Sequence, residues 1–152
     1  MHADVAALVD HYGLTPLPVE GTLFASTYRS AAELPDGSPV GTAMIGLYAH
    51  DPLSRSLFHR LPSDEVWLGP DIAAGQRVQH TVPAGVWQAG ELHPDGLWGL
   101  FGCTMAPGFT GAGFEGARRA DLERWHGDRA SDIDRLCVPD DDSSVMPDGF
   151  AT

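Results

Sequence analysis

Two pairs of polar side chains in the sequence could carry proton-transfer chemistry. Tyr28 and Arg29 are adjacent, and a tyrosine hydroxyl can shuttle a proton while an arginine clamps a carboxylate or phosphate. His59 precedes Glu65 by one short segment, and a carboxylate buried beside an imidazole could act as a general base with a raised pKa. The simpler interpretations are a surface arginine, a hydrogen-bonded histidine at a strand end, and a turn carboxylate that pairs with Arg60.

Three tryptophans and one cysteine are expected to pack in the core or in the wall of a pocket and not to act as catalytic groups. Trp67, Trp87 and Trp98 are expected to be wall and core residues, and one or two of them could stack on a ring-shaped or sugar ligand. Cys103 lies in an apolar stretch and is expected to be an inert buried thiol. The chain has 2 cysteines, too few for a four-cysteine zinc site or a disulfide scaffold. It contains no Walker-type phosphate loop and no nucleophile elbow.

The charge of the chain excludes some classes of partner. Its formal net charge is −12, and all 9 basic residues are arginines. Such an acidic surface repels phosphate backbones and anionic lipids, so we expect neither nucleic acid nor membrane as a partner. The first 20 residues have no basic start, and no apolar run reaches membrane-spanning length. We therefore expect a cytoplasmic protein without a signal peptide.

The apolar pattern predicts many short strands with a helix at each end. Val5, Leu8 and Val9 share one face of a helix over Ala3–Tyr12, which Gly13 should end. A second helix is predicted over 114–125. Alternation and β-forming residues predict strands at 22–28, 41–48, 56–61, 65–68, 76–82, 86–92 and 97–105. Short strands joined by glycine-containing turns are typical of a β-sandwich or β-barrel.

The composition changes near Gly127. Aspartates dominate beyond this point, including a run at 140–142, and large apolar residues become few. We therefore predict one domain over residues 1–126, followed by an acidic, flexible C-terminal tail over 127–152 that adds little to stability.

Five strings in chain order resemble a family of small, single-domain, mostly uncharacterised proteins of the cupin superfamily. They are TYRS at 27–30, FHRLPSDEVW at 58–67, LGPDIAAGQ at 68–76, VPAGVW at 82–87 and GCTMAPGF at 102–109. The resemblance implies a mainly β fold, a cupin-type antiparallel β-barrel or jelly roll, with short terminal helices. In that family about twenty further residues follow the position of Trp67, so this chain lacks one hairpin of the barrel. A shortened barrel leaves an edge or apolar face that a second copy can cover, and we expect a homodimer.

The resemblance also bears on metal binding. Metal-binding cupins hold a divalent metal through three histidines and a glutamate. His59 and Glu65 match two of these ligands, whereas Leu61 and Gln88 stand where the other two histidines would be. We therefore expect no cofactor, and His59 and Glu65 are the ligands if a divalent metal binds.

The pocket predicted from this resemblance combines the residues above. The cupin strands direct one face into the barrel, and that face of the predicted strand 76–82 carries Gln79. His59, Glu65 and Tyr28 are the predicted catalytic residues. The predicted substrate-binding residues are Arg29, Gln79, Gln88, Trp67 and Trp87.

Three functions are compatible with this pocket. The first is metal-independent acid–base isomerisation, epimerisation or cyclisation of a carbonyl-bearing sugar or natural product. The second is binding or sensing of a small molecule without turnover. The third is a metal-dependent cupin enzyme, a dioxygenase or cyclase.

Overall fold

Two antiparallel sheets form the frame of the protein in a computed structural model. The structure describes residues 1–60, 65–124 and 130–150, and at 58–60 it describes the backbone alone. The strands of the larger sheet are β1 (Thr15–Pro16), β2 (Leu23–Arg29), β3 (Thr42–His50), β4 (Leu53–Ser54) and β7 (Trp98–Met105). They pair in the order β1-β2-β3-β4, and β7 also pairs with the central strand β3.

The smaller sheet consists of β5 (Ser56–Arg60) and β6 (Trp87–Gly90). The two sheets do not close into a barrel within the described residues. Three short helices complete the fold: α1 (Ala3–Tyr12), α2 (Arg119–Glu123) and α3 (Ala130–Leu136). The predicted mainly antiparallel β fold with short helices is therefore confirmed, in an open form of the cupin-type architecture. No helix among the described residues is long and apolar enough to cross a membrane.

Helix α1 covers one face of the larger sheet. Val5 is buried and packs with Leu23, Leu47 and Ala49, whose side chains alternate along β2 and β3 toward the same face. Gly13 ends the helix in the left-handed conformation, at a φ of 62°, which a glycine adopts without steric cost. The predicted helix and its end at Gly13 are confirmed.

Two predicted strands do not form. The segment that follows Trp67 contains loops and one isolated bridge, Leu68 to Arg77, in place of strands at 65–68 and 76–82. A strand pattern becomes a strand only beside a partner, and β6 already pairs with β5. Val78, which alternation placed on the strand face opposite Gln79, is 77% exposed. The predicted turn at 61–64 lies outside the described residues.

The second predicted helix is shorter than expected. Residues 114–125 were predicted to be helical, but α2 spans Arg119–Glu123 and the predicted end at Trp125 lies outside the described residues. The preceding backbone pairs with the C-terminal segment instead. The N–H of Gly116 donates to the carbonyl of Ser144, and the N–H of Val138 donates to the carbonyl of Ala117.

The C-terminal segment, residues 130–150, packs against the rest of the chain. Ile133 and Leu136 on α3 join a core with Leu122, and Met146 joins a second core with Phe24. The Arg118 guanidinium donates to the backbone carbonyls of residues 139, 140 and 142. The boundary at residue 126 stays a prediction, but this packing does not fit a loosely attached tail.

We predict that the C-terminal segment contributes strongly to stability. Ile133 is 1% exposed, so Ile133→Ala leaves a cavity and should lower the free energy of unfolding by about 2–5 kcal/mol. Val145→Ala is the matched control, because Val145 is 57% exposed on the same segment and its loss should cost less than about 0.5 kcal/mol. Urea unfolding followed by circular dichroism measures both. Equal, small effects of the two substitutions would show that the segment is dispensable.

Candidate functional site

An apolar cleft opens on the face of the larger sheet opposite α1. The free volume of the cleft is about 40 Å³, and its mouth is open to solvent. In the β3–β7 register Met44 is paired with Cys103 and Thr42 with Met105, so these four side chains meet in two adjacent rows. The complete lining comprises Leu17, Phe24, Thr42, Ala43, Met44, Cys103, Met105 and Phe109. Such an apolar concavity with few polar groups is the usual form of a small-molecule site.

The ring of Phe101 lies across β3 deeper along the same face. Gly46 is its register partner, and a Cβ added at Gly46 would lie 2.3 Å from the Cζ atom of Phe101. Glycine at this position therefore makes room for the ring. Phe101 in turn packs on Tyr48, with 4.6 Å between the ring centroids. Along β3 the cleft at Met44 is thus followed by Phe101 and then by Tyr48.

A buried hydrogen-bond network surrounds Tyr48. The hydroxyl of Ser56 donates to Oε2 of Glu20 at 2.5 Å, and the side chains of Ser56 and Tyr48 are hydrogen-bonded. Glu20 is only 8% exposed, and the Tyr48 hydroxyl packs against the backbone of Gly90. Burial, followed by the charge of Glu20, raises the pKa of Tyr48, so its phenol stays protonated at neutral pH.

The network and the cleft influence each other electrostatically. Burial is the main cause that raises the pKa of Cys103, and the negative charge of Glu20 raises it further. Because Cys103 also lines the cleft, Glu20 acts on the ligand-facing wall. The cleft therefore has apolar walls, which can hold the body of a small molecule, and the buried Glu20 carboxylate lies outside this lining but acts on it through its charge.

Tyr28 and Arg29 lie at one end of this site. They end β2 and are paired with Ala43 and Thr42 at the beginning of β3. The Tyr28 side chain is exposed, and the Arg29 guanidinium donates to the carbonyl oxygen of Phe109 at 3.4 Å. Arg29 thus lies at the rim of the cleft, where it can meet a ligand that enters.

Glu65 and Trp67 lie in a different place. The indole N–H of Trp67 donates to Glu65 at 2.9 Å, and the Trp67 ring is 4.9 Å from that of His93. The carbonyl of His93 is 3.2 Å from the ring of His50, the last residue of β3. At 3.3 Å per residue, the strand places this group roughly 20 Å from Tyr28. The structure therefore does not bring Tyr28 and Glu65 to one point.

The remaining predicted residues are also dispersed. Gln79 is exposed in a loop, which corrects its predicted inward position because the strand at 76–82 does not form. Trp87 is half-buried against the core that contains Leu122 and Ile133. Gln88 is the register partner of His59 in the smaller sheet, but the His59 side chain lies outside the described residues. The predicted roles of these residues stay predictions.

The described part of the chain does not gather a metal-binding group. No cluster of three or more His, Cys, Asp or Glu side chains occurs among the described residues. Because the side chain of His59 lies outside the described residues, the expectations for a cofactor or a metal at His59 and Glu65 stay predictions.

The comparisons with known proteins agree with the fold. The model of the family described as Cupin superfamily (DUF985) matches residues 68–117. A hypothetical protein from Leishmania major is similar in structure, with a TM-score of 0.75 and 19% identity over 91% of this chain and 100% of that chain. A protein from Shewanella oneidensis gives a TM-score of 0.74 and 24% identity over 92% and 99%. No curated protein matches the sequence.

We predict that removing the charge of Glu20 makes Cys103 more reactive. Glu20→Gln removes a negative charge that disfavours the thiolate, so the pKa of Cys103 should fall and its alkylation at pH 8 should accelerate. Glu33→Gln, at an exposed loop position, is the control and should leave the rate unchanged. The measurement is the pH–rate profile of iodoacetamide labelling at the Cys103 peptide, followed by mass spectrometry. An unchanged profile in Glu20→Gln would show that the charge of Glu20 does not affect the Cys103 thiol in the cleft.

Proposed function

We propose that this chain, which matches the model of the Cupin superfamily (DUF985) family over residues 68–117, binds a small, largely apolar molecule in the interior cleft. The observation that carries this proposal is the continuous apolar lining of the cleft, with Met44, Met105 and Phe109 around a mouth open to solvent. Methionine side chains adapt to irregular ligand shapes, and aromatic rings add specific packing.

The charge distribution narrows the class of ligand. The chain carries a formal net charge of −12, and the charge of the buried Glu20 acts on Cys103 in the cleft lining. Both disfavour an anionic group in the deep part of the site. The ligand that fits is neutral or cationic at its inner end, and Arg29 at the rim can contact a polar group at its outer end.

Acid–base catalysis is the second candidate function, in the isomerase, epimerase or cyclase class predicted from the sequence. The observation that favours it is the Glu20 carboxylate, which is held by Ser56 in the interior. In this reaction Glu20 would abstract a proton adjacent to a carbonyl and return it to a different position. Glu20 replaces Glu65 as the proposed base because Glu65 lies far from Tyr28. A metal-dependent reaction at His59 stays an alternative.

The expected homodimer also stays a proposal. Leu68, Ile72 and Val78 are 60%, 69% and 77% exposed in the segment that follows the lost hairpin. A second copy that covers these side chains would remove apolar surface from water.

We predict that a charge at the mouth of the cleft abolishes ligand binding. Met105 is 45% exposed, so Met105→Glu places a carboxylate in the apolar lining without a large cost in folding. Binding of the neutral apolar dye N-phenyl-1-naphthylamine, followed by its fluorescence, should be lost. Leu53→Glu changes an exposed position outside both the cleft lining and the proposed dimer surface, and serves as the control. Equal binding by both variants would place the ligand outside the cleft.

We predict that Glu20→Gln separates binding from catalysis. Neutral carbonyl compounds that raise the melting temperature of the protein are incubated with it in D₂O, and NMR follows exchange of the hydrogens adjacent to the carbonyl. Under the catalytic candidate the native protein accelerates this exchange and Glu20→Gln abolishes it, while the thermal shift by the ligand persists. Thermal shifts without any exchange in the native protein would leave binding alone as the function.

A further inference from the structure

The last aromatic residue of the C-terminal segment, Phe150, lies against the cleft. Its ring centroid is 6.5 Å from that of Phe24 and 6.3 Å from that of Phe109, and the second pair is edge-to-face at 87°. Both partners line the cleft. These separations fall in the range in which aromatic rings attract one another. A ring that belongs to the chain itself therefore packs against two aromatic residues of the cleft wall, although it is not part of the cleft lining.

The segment that carries this ring is fixed at one end and exposed at the other. Met146 is 6% exposed and packs with Leu17 and Phe114, which anchors the chain four residues before Phe150. The intervening residues 147–149 are exposed and form a turn, closed by a hydrogen bond from the N–H of Phe150 to the carbonyl of Pro147 at 3.1 Å. Gly149 adopts a φ of 75° in this turn, a conformation suited to glycine.

The Phe150 ring can therefore leave without unfolding the core. Its displacement breaks one turn, two aromatic contacts and the packing of the Phe150 backbone on Gly111, whereas Met146 and the buried part of α3 keep their packing. The half-buried ring adjoins a cleft whose lining is mostly apolar and includes sulfur and aromatic side chains. Anything that replaces it must offer a similar flat, apolar surface to Phe24 and Phe109.

We propose that Phe150 is an intramolecular competitor for the cleft, and that the ligand is a molecule with a flat apolar ring that takes its place against Phe24 and Phe109. This inference rests on the proposed function and names the ligand class. We expect the polar part of such a molecule to be neutral or cationic, because the chain carries a formal net charge of −12.

The test uses the two cysteines of the full-length chain as internal reporters. Cys103 lines the cleft, whereas Cys137 is buried in the core with Ile133. Labelling with N-ethylmaleimide, followed by mass spectrometry of the two peptides, reports access to each site separately. Phe150→Ala should accelerate labelling of Cys103 and leave Cys137 unchanged. Val145→Ala, on the same segment but exposed, should change neither rate.

Binding of N-phenyl-1-naphthylamine provides the second measurement. Loss of the competing ring contacts should tighten dye binding about 2- to 10-fold in Phe150→Ala. Phe150→Leu keeps an apolar side chain without a ring, so it should give an intermediate affinity with an intact fold. Saturating dye should protect Cys103 from labelling.

The possible outcomes separate this inference from the proposed function. Equal acceleration at Cys103 and Cys137 would mean general loosening of the fold and would overturn the proposal. Unchanged labelling and unchanged dye affinity in Phe150→Ala would overturn it as well. Selective acceleration of labelling at Cys103, with no dye bound by any variant, would show that Phe150 covers the cleft. The same result would contradict the proposal that the cleft is a ligand site.

Discussion

The hydroxyl of Ser54 accepts a hydrogen bond from the N–H of Leu23 at 2.8 Å and donates one to the carbonyl oxygen of Leu47 at 2.5 Å. Ser54 is 1% exposed, and leaving such a buried group unsatisfied costs about 1–3 kcal/mol. This serine therefore fixes the point at which the chain leaves the larger sheet. Two residues later Ser56 begins the smaller sheet and holds Glu20. The position of the only carboxylate described in the interior network depends on this crossing between the sheets.

An open pair of sheets needs another cover for its interior, and the described residues supply it from the end of the chain. Met146 and Phe150 contact Phe24 on β2, while α3 packs beside β6 through Ile133 and through the ion pair of Arg135 with Glu91. The cover is thus made of side chains on a short helix and a loop. Because loop residues can move more readily than paired strands, the same arrangement that completes the core makes the cleft adjustable.

Local patterns predicted the elements that depend on local signals. The helix over Ala3–Tyr12 has an apolar stripe and a terminal glycine, and the strands β2, β3 and β7 are long and rich in β-forming residues. The strand at 76–82 failed because alternation records side-chain character and not the presence of a partner. In the C-terminal segment the high content of aspartate concealed a helical pattern. Ile133, Leu136 and Cys137 recur at helical spacing, and the aspartates at 132 and 134 flank Ile133 on either side.

The candidate site was harder to predict, because it is assembled by pairings between distant parts of the chain. Glu20 meets Ser56, 36 residues away, and its charge is felt at Tyr48 on β3 and at Cys103 on β7. Those two strands are adjacent only through the β3–β7 register, for which the sequence contains no local signal. Alternation along β3 does place Met44, Gly46 and Tyr48 on one face, opposite the face that α1 covers. A polar tyrosine on the inner face of an otherwise apolar strand needs a buried hydrogen-bond partner, and this requirement is the one sequence signal that points toward the network.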